Sequence, residues 1–517
     1  MGADSNQSSG STAVSGTRAG PDESLAKNRL GTVGVVFFVV AAAAPLVGMT
    51  GALPVAIVLG NGAAAPGAYL AAGLVLLVFS VGYSAMSHRV TNAGAFFAYV
   101  GRGLGLVAGV GSAFVSLLAY LAIQLAIFGF FGAVMAGQMA AEFGIDLEWW
   151  VWVLIAWALV LGLSILSVDI GAKVLGVLML AEVLALGLVV LAVLLQGGGP
   201  DGMDLGASFA PSAIFAGGFT GSAGIALAFA FASYIGFEAT AIYGEESRDP
   251  KRTVPIATYA AVGLIAALFA ATSWALVSGL GASSVVDRTV ELSSVDGEPL
   301  ADPAAVLFGV AEEYVGGWLA TTMSWLVLSS LFAGLLAFQN SAARYFFSMA
   351  RAGVLPRRLD RVNAKGAPML GAGVTSTITL LVIALFVLTD RDPVLNMFFW
   401  FSAVAVLAIV FVEILVSTAV IAFFRRDGSD SRLWNTILAP ILAIIGLLCG
   451  MYLLMSRFGL LAGTTAEGVD PTTQAWGLST LGWFLVALPF LTFAVGVLVG
   501  VIRKRSENQT AVADLIS

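Results

Sequence analysis

The sequence predicts an all-α polytopic membrane protein. Hydrophobic residues make up 59% of the chain and charged residues 11%, against about 25% charged in a soluble globule. The mean hydropathy is +0.96. The apolar runs reach about 20 residues or more, enough for a helix to cross roughly 30 Å of hydrocarbon, and they lack the alternation of a membrane barrel.

Twelve spans are expected, at about 32–60, 66–87, 105–140, 149–167, 170–196, 221–245, 254–280, 317–345, 369–389, 394–423, 434–456 and 475–502. Segment 1–30, rich in Gly, Ser, Asp and Asn with no apolar core or cleavage site, reads as a disordered tail rather than a signal peptide. Segment 503–517 reads as a second tail. An even count puts both termini on one side. With that side cytoplasmic, all 24 Lys and Arg fall in cytoplasmic loops or tails except Arg288, Arg391 and Arg457, the bias expected of cytoplasmic loops. A miscounted span would mix the two classes, so the partition supports a multi-pass inner-membrane protein with cytoplasmic termini. Outside lies an acidic connector. Its part 301–317 has the look of a short amphipathic helix over the mouth of the protein, a solvated connector being an equal alternative. Cys449 is the single cysteine, so no intrachain disulfide can form.

The first span carries AAAAPLVGMTGALP at 41–54. Pro45 and Pro54 each remove a backbone donor, and Gly48 and Gly51 loosen what remains. A mid-membrane break is predicted over Val47, Gly48, Met49, Thr50 and Gly51. Unpaired backbone is tolerated there only where it lines a polar cavity; a simple proline kink is the alternative. The sixth span repeats the pattern in FASYIGFEAT at 231–240, where polar and permissive residues Ser233, Tyr234, Gly236, Glu238 and Thr240 interrupt an apolar run. Paired interruptions in corresponding helices point to a transporter's midplane site. Phe231, Ser233, Tyr234, Gly236 and Phe237 are therefore added to the expected substrate site, with Gln124 and Tyr120 of the third span as further cavity-lining candidates.

Three stretches resemble motifs of the amino acid, polyamine and organocation (APC) superfamily: EESRDPKRTVPIATY at 245–259, RVTNAGAFFAYVGRGLG at 89–105 and FQNSAARYFFSMARAGVLP at 338–356. The resemblance runs over about residues 30 to 500. It implies a LeuT-like fold of two inverted five-helix repeats, about 31–196 and 221–423, with helices 11 and 12 over 434–502. It also implies alternating access around a site between helices 1, 3, 6 and 8. In the family the break in helix 1 exposes amides that bind the substrate carboxylate, as a half-helix N-terminus with its partial positive charge can do. The family commonly has Gly-Ser-Gly or Gly-Ala-Gly there; this chain has VGMTG at 47–51.

Glu182, Glu238 and Glu413 lie inside predicted spans. A carboxyl at such depth costs several kcal/mol if charged and is a functional candidate by default. With every Lys and Arg assigned to loops or tails, these glutamates should be protonated, hydrogen-bonded or facing a bound cation; a neutral helix-to-helix hydrogen bond is the bland alternative, strongest for Glu413. The resemblance places Glu182 where several proton-coupled members have a lysine, and matches Glu238 to a proton- or pH-sensing glutamate of some relatives. Glu182 and Glu238 are thus the expected proton-coupling residues. Ser329 and Ser330 resemble a hydroxyl pair that helps hold sodium in distant relatives, making them a cation-site candidate beside ordinary packing.

No nucleotide-binding loop, metal-ligand cluster or nucleophile constellation is present, so the chain is expected to be no enzyme and to need no cofactor or metal. The expectation is a permease importing an amino acid with a proton, within membrane lipid and without a nucleic-acid partner. Neutral amino acids come first, because no cationic anchor for an anionic substrate is visible. Cationic amino acids or polyamines come second, with sodium the alternative coupling ion. A channel or a transport-inactive sensor are the rivals from other classes.

Overall fold

The computed structural model describes residues 25, 28, 30–90, 94–166, 168–295, 297–428 and 430–505, apart from the side chains of 168–175, 504 and 505. The two predicted tails, 1–30 and 503–517, lie almost wholly outside these residues. Regular structure among the described residues is helical. Isolated bridges join Leu30 to Ser247, Val295 to Glu298 and Thr465 to Leu478.

Each predicted segment is helical and keeps its ordinal here. The first runs from Thr32–Ala43 through short α and π turns to Asn61. Then come Ala65–Ser87, Leu106–Phe143, Trp149–Ile165 and Val168–Gln196. The sixth is Ser222–Ser233 with the 3-10 turn Phe237–Tyr243, followed by Pro250–Leu280, Gly317–Arg351 and Met369–Leu388. Phe399–Asp427, Ala439–Ser456 and Thr480–Arg505 complete the order.

Among the described residues, 10 stretches are long and apolar enough to cross a membrane, and the difference from the twelve expected has two sources. Thr32–Ser87 is a single apolar stretch of 56 residues, interrupted by non-helical backbone at Gly60 (φ −99°, ψ −131°) and Gly62 (φ 58°, ψ −122°). The fourth helix has 17 residues, about 26 Å at 1.5 Å per residue, short of the hydrocarbon thickness.

Most of these helices are apolar on all sides, so each is either surrounded by others or faces lipid. The third packs against the eighth, tenth and twelfth and against Phe96–Leu104, the helix formed by the 89–105 motif; the first packs against the fifth, seventh and eighth. On the outside, Leu195, Leu388 and Leu498 are 78%, 84% and 60% exposed, as side chains facing hydrocarbon are. The acidic connector folds into two helices, Val285–Ser293 and Ala304–Tyr314. The second realises the amphipathic reading: it buries Val306, Leu307, Val310 and Ala311 and packs on the eighth helix and on Gly48–Ala52 of the first.

Candidate functional site

The first helix breaks at Ala44. A proline disfavours helical backbone in the residue before it, and Ala44 adopts φ 43°, ψ 66°, a left-handed conformation uncommon for a residue with a Cβ. The helix restarts with Pro45 in the first position, which suits its missing N–H. It then widens: Leu53 N–H reaches back to Gly48 O, because Pro54 has no N–H to give Thr50. The break predicted over Val47–Gly51 is therefore displaced to Ala44, and 47–51 stays helical with loosened turns. Met49 and Thr50 are buried, and the Thr50 hydroxyl donates to Leu46 O at 2.8 Å.

The sixth helix breaks where expected. Its α segment ends at Ser233, Gly236 takes φ 112°, and a 3-10 turn begins at Phe237. The two breaks lie against each other. A Cβ on Gly236 would sit 2.9 Å from the Ala42 carbonyl carbon, and one on Gly48 would sit 3.6 Å from Ser233 Cβ. Tyr69 ties the second helix to the break in the sixth: its hydroxyl is 3.2 Å from Ser233 Oγ, and its carbonyl accepts from the Tyr234 hydroxyl at 2.8 Å. Phe269 of the seventh packs edge-on to Tyr69 and Tyr234 at 5.8 and 5.1 Å. Tyr69, Tyr83 and Phe269 escaped sequence reasoning because a buried aromatic in an apolar run carries no local signal.

Two predicted lining residues point elsewhere. Gln124 donates to Gln339 Oε1 at 2.5 Å, and Gln339 donates to Ala372 O and Ser376 Oγ, so this amide joins the third, eighth and ninth helices. Phe231 turns to the eleventh helix, where its ring is 3.0 Å from the position of a Cβ on Gly450.

The three glutamates are all buried but differ in their partners. Glu182 Oε2 accepts from the Ser330 hydroxyl at 2.8 Å, and the Leu46 backbone amide lies beside the same carboxyl. Leu46 is in the first turn after the break, so a side-chain carboxyl already stands where the freed N-terminal amides concentrate positive charge. Ser329 donates instead to Leu326 O of its own helix at 2.9 Å, which separates the expected hydroxyl pair. Glu238 Oε2 accepts from Gly236 N–H at 2.8 Å and Oε1 from the Tyr120 hydroxyl at 3.2 Å. The Tyr83 hydroxyl donates to Glu238 O at 2.7 Å. Among the described residues Glu413 has no hydrogen-bond partner on either oxygen, which overturns its reading as a helix-to-helix hydrogen bond.

A family model described as amino acid permease matches residues 34–509. The chain belongs to the amino acid permease family. This agrees with the motif resemblance to the APC superfamily, and the family is one of transporters. The permease is 27% identical to the histidine permease of Saccharomyces cerevisiae over 289 residues, 54% of this chain and 46% of that one. It is 25% identical to the branched-chain amino acid permease BcaP of Lactococcus lactis over 239 residues, 46% of each. Against the cationic amino acid transporter 1 of Arabidopsis thaliana it is 31% identical over 184 residues, 34% of this chain and 28% of that one. The chain spans about half or less of the length of these curated relatives. A solved structure of a Na+-coupled sialic acid symporter is 15% identical with a TM-score of 0.49, covering 87% of this chain and 92% of that one.

In the permease two of the three motifs meet through an ion pair. Arg344 Nε and Nη2 donate to Glu246 at 2.6 and 3.0 Å, with side chains 2% and 1% exposed. Arg344 also lies 5.0 Å above the Tyr243 ring and donates to Asn340 O. Arg351 pairs with Glu245 beside it. Leu30 joins this cluster through its N–H to Glu246 O and its carbonyl, which accepts from Arg248 N–H. The expectation that every Lys and Arg lies in loops or tails is thereby corrected. The eighth helix continues to Arg351, and the bidentate carboxylate lets it bury Arg344.

Two glycines separate site from scaffold. Among the described residues, beyond its own helical turn, nothing lies within 4 Å of a Cβ on Gly51, so Gly51→Leu is expected to melt near the wild-type temperature yet lose the stabilisation that a bound amino acid confers. Gly236→Ala meets both the φ of 112° and the Ala42 backbone, and is expected to lose about 1–3 kcal/mol. Thermal melts with and without amino acids read both; wild-type ligand shifts in Gly51→Leu would remove it from the site.

Proposed function

We propose that the permease is a secondary active transporter that imports an amino acid with a proton by alternating access, neutral amino acids first and cationic ones or polyamines second. The observation that carries this is the crossing of two helix breaks, at Ala44 and at 233–236, with Glu182 seated at the N-terminus that the first break frees. In this reading the chain crosses the inner membrane twelve times, in two inverted five-helix repeats plus two helices. Both termini are cytoplasmic, and the Glu246–Arg344 cluster closes the cytoplasmic side.

The coupling follows from charge. A substrate carboxylate drawn to the half-helix N-terminus would approach Glu182, and two carboxylates sharing one site cannot both be ionised at little cost. Glu182 therefore takes a proton as the substrate binds, and each promotes the binding of the other. Glu238, held by Gly236 N–H and the Tyr120 hydroxyl, stands beside the second break as the competing proton-coupling residue.

Counterflow in sodium-free proteoliposomes, screened over the twenty protein amino acids, is expected to show exchange for at least one of them. An inward proton gradient should drive its uptake, and an ionophore should abolish that drive. Uptake that needs sodium and ignores pH would replace the proton by a cation held at Glu182 and Ser330. Absence of counterflow for every amino acid and polyamine tried would overturn the reading.

A further inference from the structure

Glu413 stands apart from the other two buried glutamates. Its side chain is 1% exposed, and neither oxygen has a hydrogen-bond partner among the described residues. It lines a cavity with Leu76 of the second helix, Val406, Ile409 and Val410 of its own, and Phe231, Tyr234, Ile235 and Phe237 flanking the break in the sixth. The cavity has room for about one water molecule. Its walls are apolar except for Tyr234, whose hydroxyl is committed to Tyr69 O.

The elements packed against the tenth helix offer little to balance a charge. Their ionisable groups are Tyr69 and Tyr83 of the second, Tyr99 and Arg102 of Phe96–Leu104, and Tyr120 and Glu142 of the third. The sixth adds Tyr234, Glu238 and Tyr243, the eleventh Cys449 and Tyr452, and the twelfth Arg503 and the residues after it, while the tenth itself carries Arg425, Arg426 and Asp427 in its last turn. None of the described ones hydrogen-bonds to Glu413. An ionised carboxyl with no donor, no cation and apolar walls is too costly to bury, so here Glu413 is the neutral acid.

We propose that Glu413 is a second proton-carrying residue of the permease, whose cavity is opened and closed by the break in the sixth helix. Four wall residues flank that break, so any rearrangement of the break opens the cavity to water. The O–H bond of Glu413 then breaks, the proton passes to a water molecule as hydronium, and the carboxylate left behind is solvated; closure requires it to take a proton back. This rests on the proton-coupled reading above, and it adds one proton to the one assigned to Glu182.

The full-length permease is reconstituted with a pH-sensitive dye inside the vesicles and a clamped membrane potential. An equimolar mixture of the twenty protein amino acids is added outside. In Glu413→Gln, counterflow should persist while protons entering per amino acid fall about twofold. Glu413→Met should show the same fall and melt above the wild type, because it removes a buried polar group that nothing satisfies. An unchanged proton ratio in both variants overturns the inference and leaves proton coupling standing. Amino acid entry without protons in the wild type itself removes the coupled reading and Glu413's role with it. Should neither variant assemble, the wild type decides: a hydrophobic carbodiimide adds to carboxyls that carry a proton. Its adduct on Glu413, lost as pH is raised, supports the proposal, and its absence at every pH overturns it.

Discussion

Replacing Glu246 by glutamine is expected to destabilise the permease by about 3–5 kcal/mol, the usual result of stripping one partner from a buried ion pair. Arg344 is 2% exposed and would keep its charge with the bidentate acceptor gone. Replacing both partners, as Glu246→Leu with Arg344→Met, should recover most of the loss, since apolar groups need no counter-charge. Denaturant midpoints in detergent measure both. A second readout follows from the burial of the residues around the pair. Ser341 is 1% exposed, and a cysteine there, in a Cys449→Ser background, should gain reactivity toward a water-soluble thiol reagent when Glu246 is neutralised. A drop below about 1 kcal/mol, the range of exposed pairs, together with unchanged reactivity, would reduce the cluster to surface decoration.

Glu182→Gln is expected to keep exchange and lose the share of accumulation that its own proton drives. Each coupled proton lets a one-unit pH gradient, about 1.4 kcal/mol, hold roughly a tenfold concentration ratio, and that factor should vanish in the variant. Glutamine mimics the protonated carboxyl and retains a group for Ser330, so counterflow should continue. Substrate affinity should also lose its dependence on pH, because no carboxylate remains to compete for the half-helix N-terminus. Uptake against a fixed gradient, compared with counterflow in the same vesicles, tests this. Full accumulation in Glu182→Gln with loss in Glu238→Gln would transfer the role to Glu238.

Hydropathy and backbone chemistry are local, and what depends on them was legible in the sequence: the membrane class, the helical segments, and a break in each of two helices. Pro45 and Gly236 act on their own neighbours, so the break at 233–237 fell where expected and the first was displaced only from 47–51 to Ala44, the residue that Pro45 itself constrains. The motif resemblance supplied the family. Partnership was not legible, because it joins residues far apart in the chain. Glu182 and Ser330 are 148 residues apart, and Glu246 and Arg344 are 98 apart. Sequence reasoning assigned Arg344 to a loop or tail, where water would solvate its charge; only the packing of the eighth helix against the segment after the sixth buries it and provides the carboxylate it then requires. The three glutamates looked alike as carboxyls in apolar runs. Tertiary structure alone gave Glu182 a hydroxyl and a helix terminus, gave Glu238 an amide and a phenol, and left Glu413 with neither, since the cost of a buried charge is set by the donors that packing brings within reach and not by the run of residues around it.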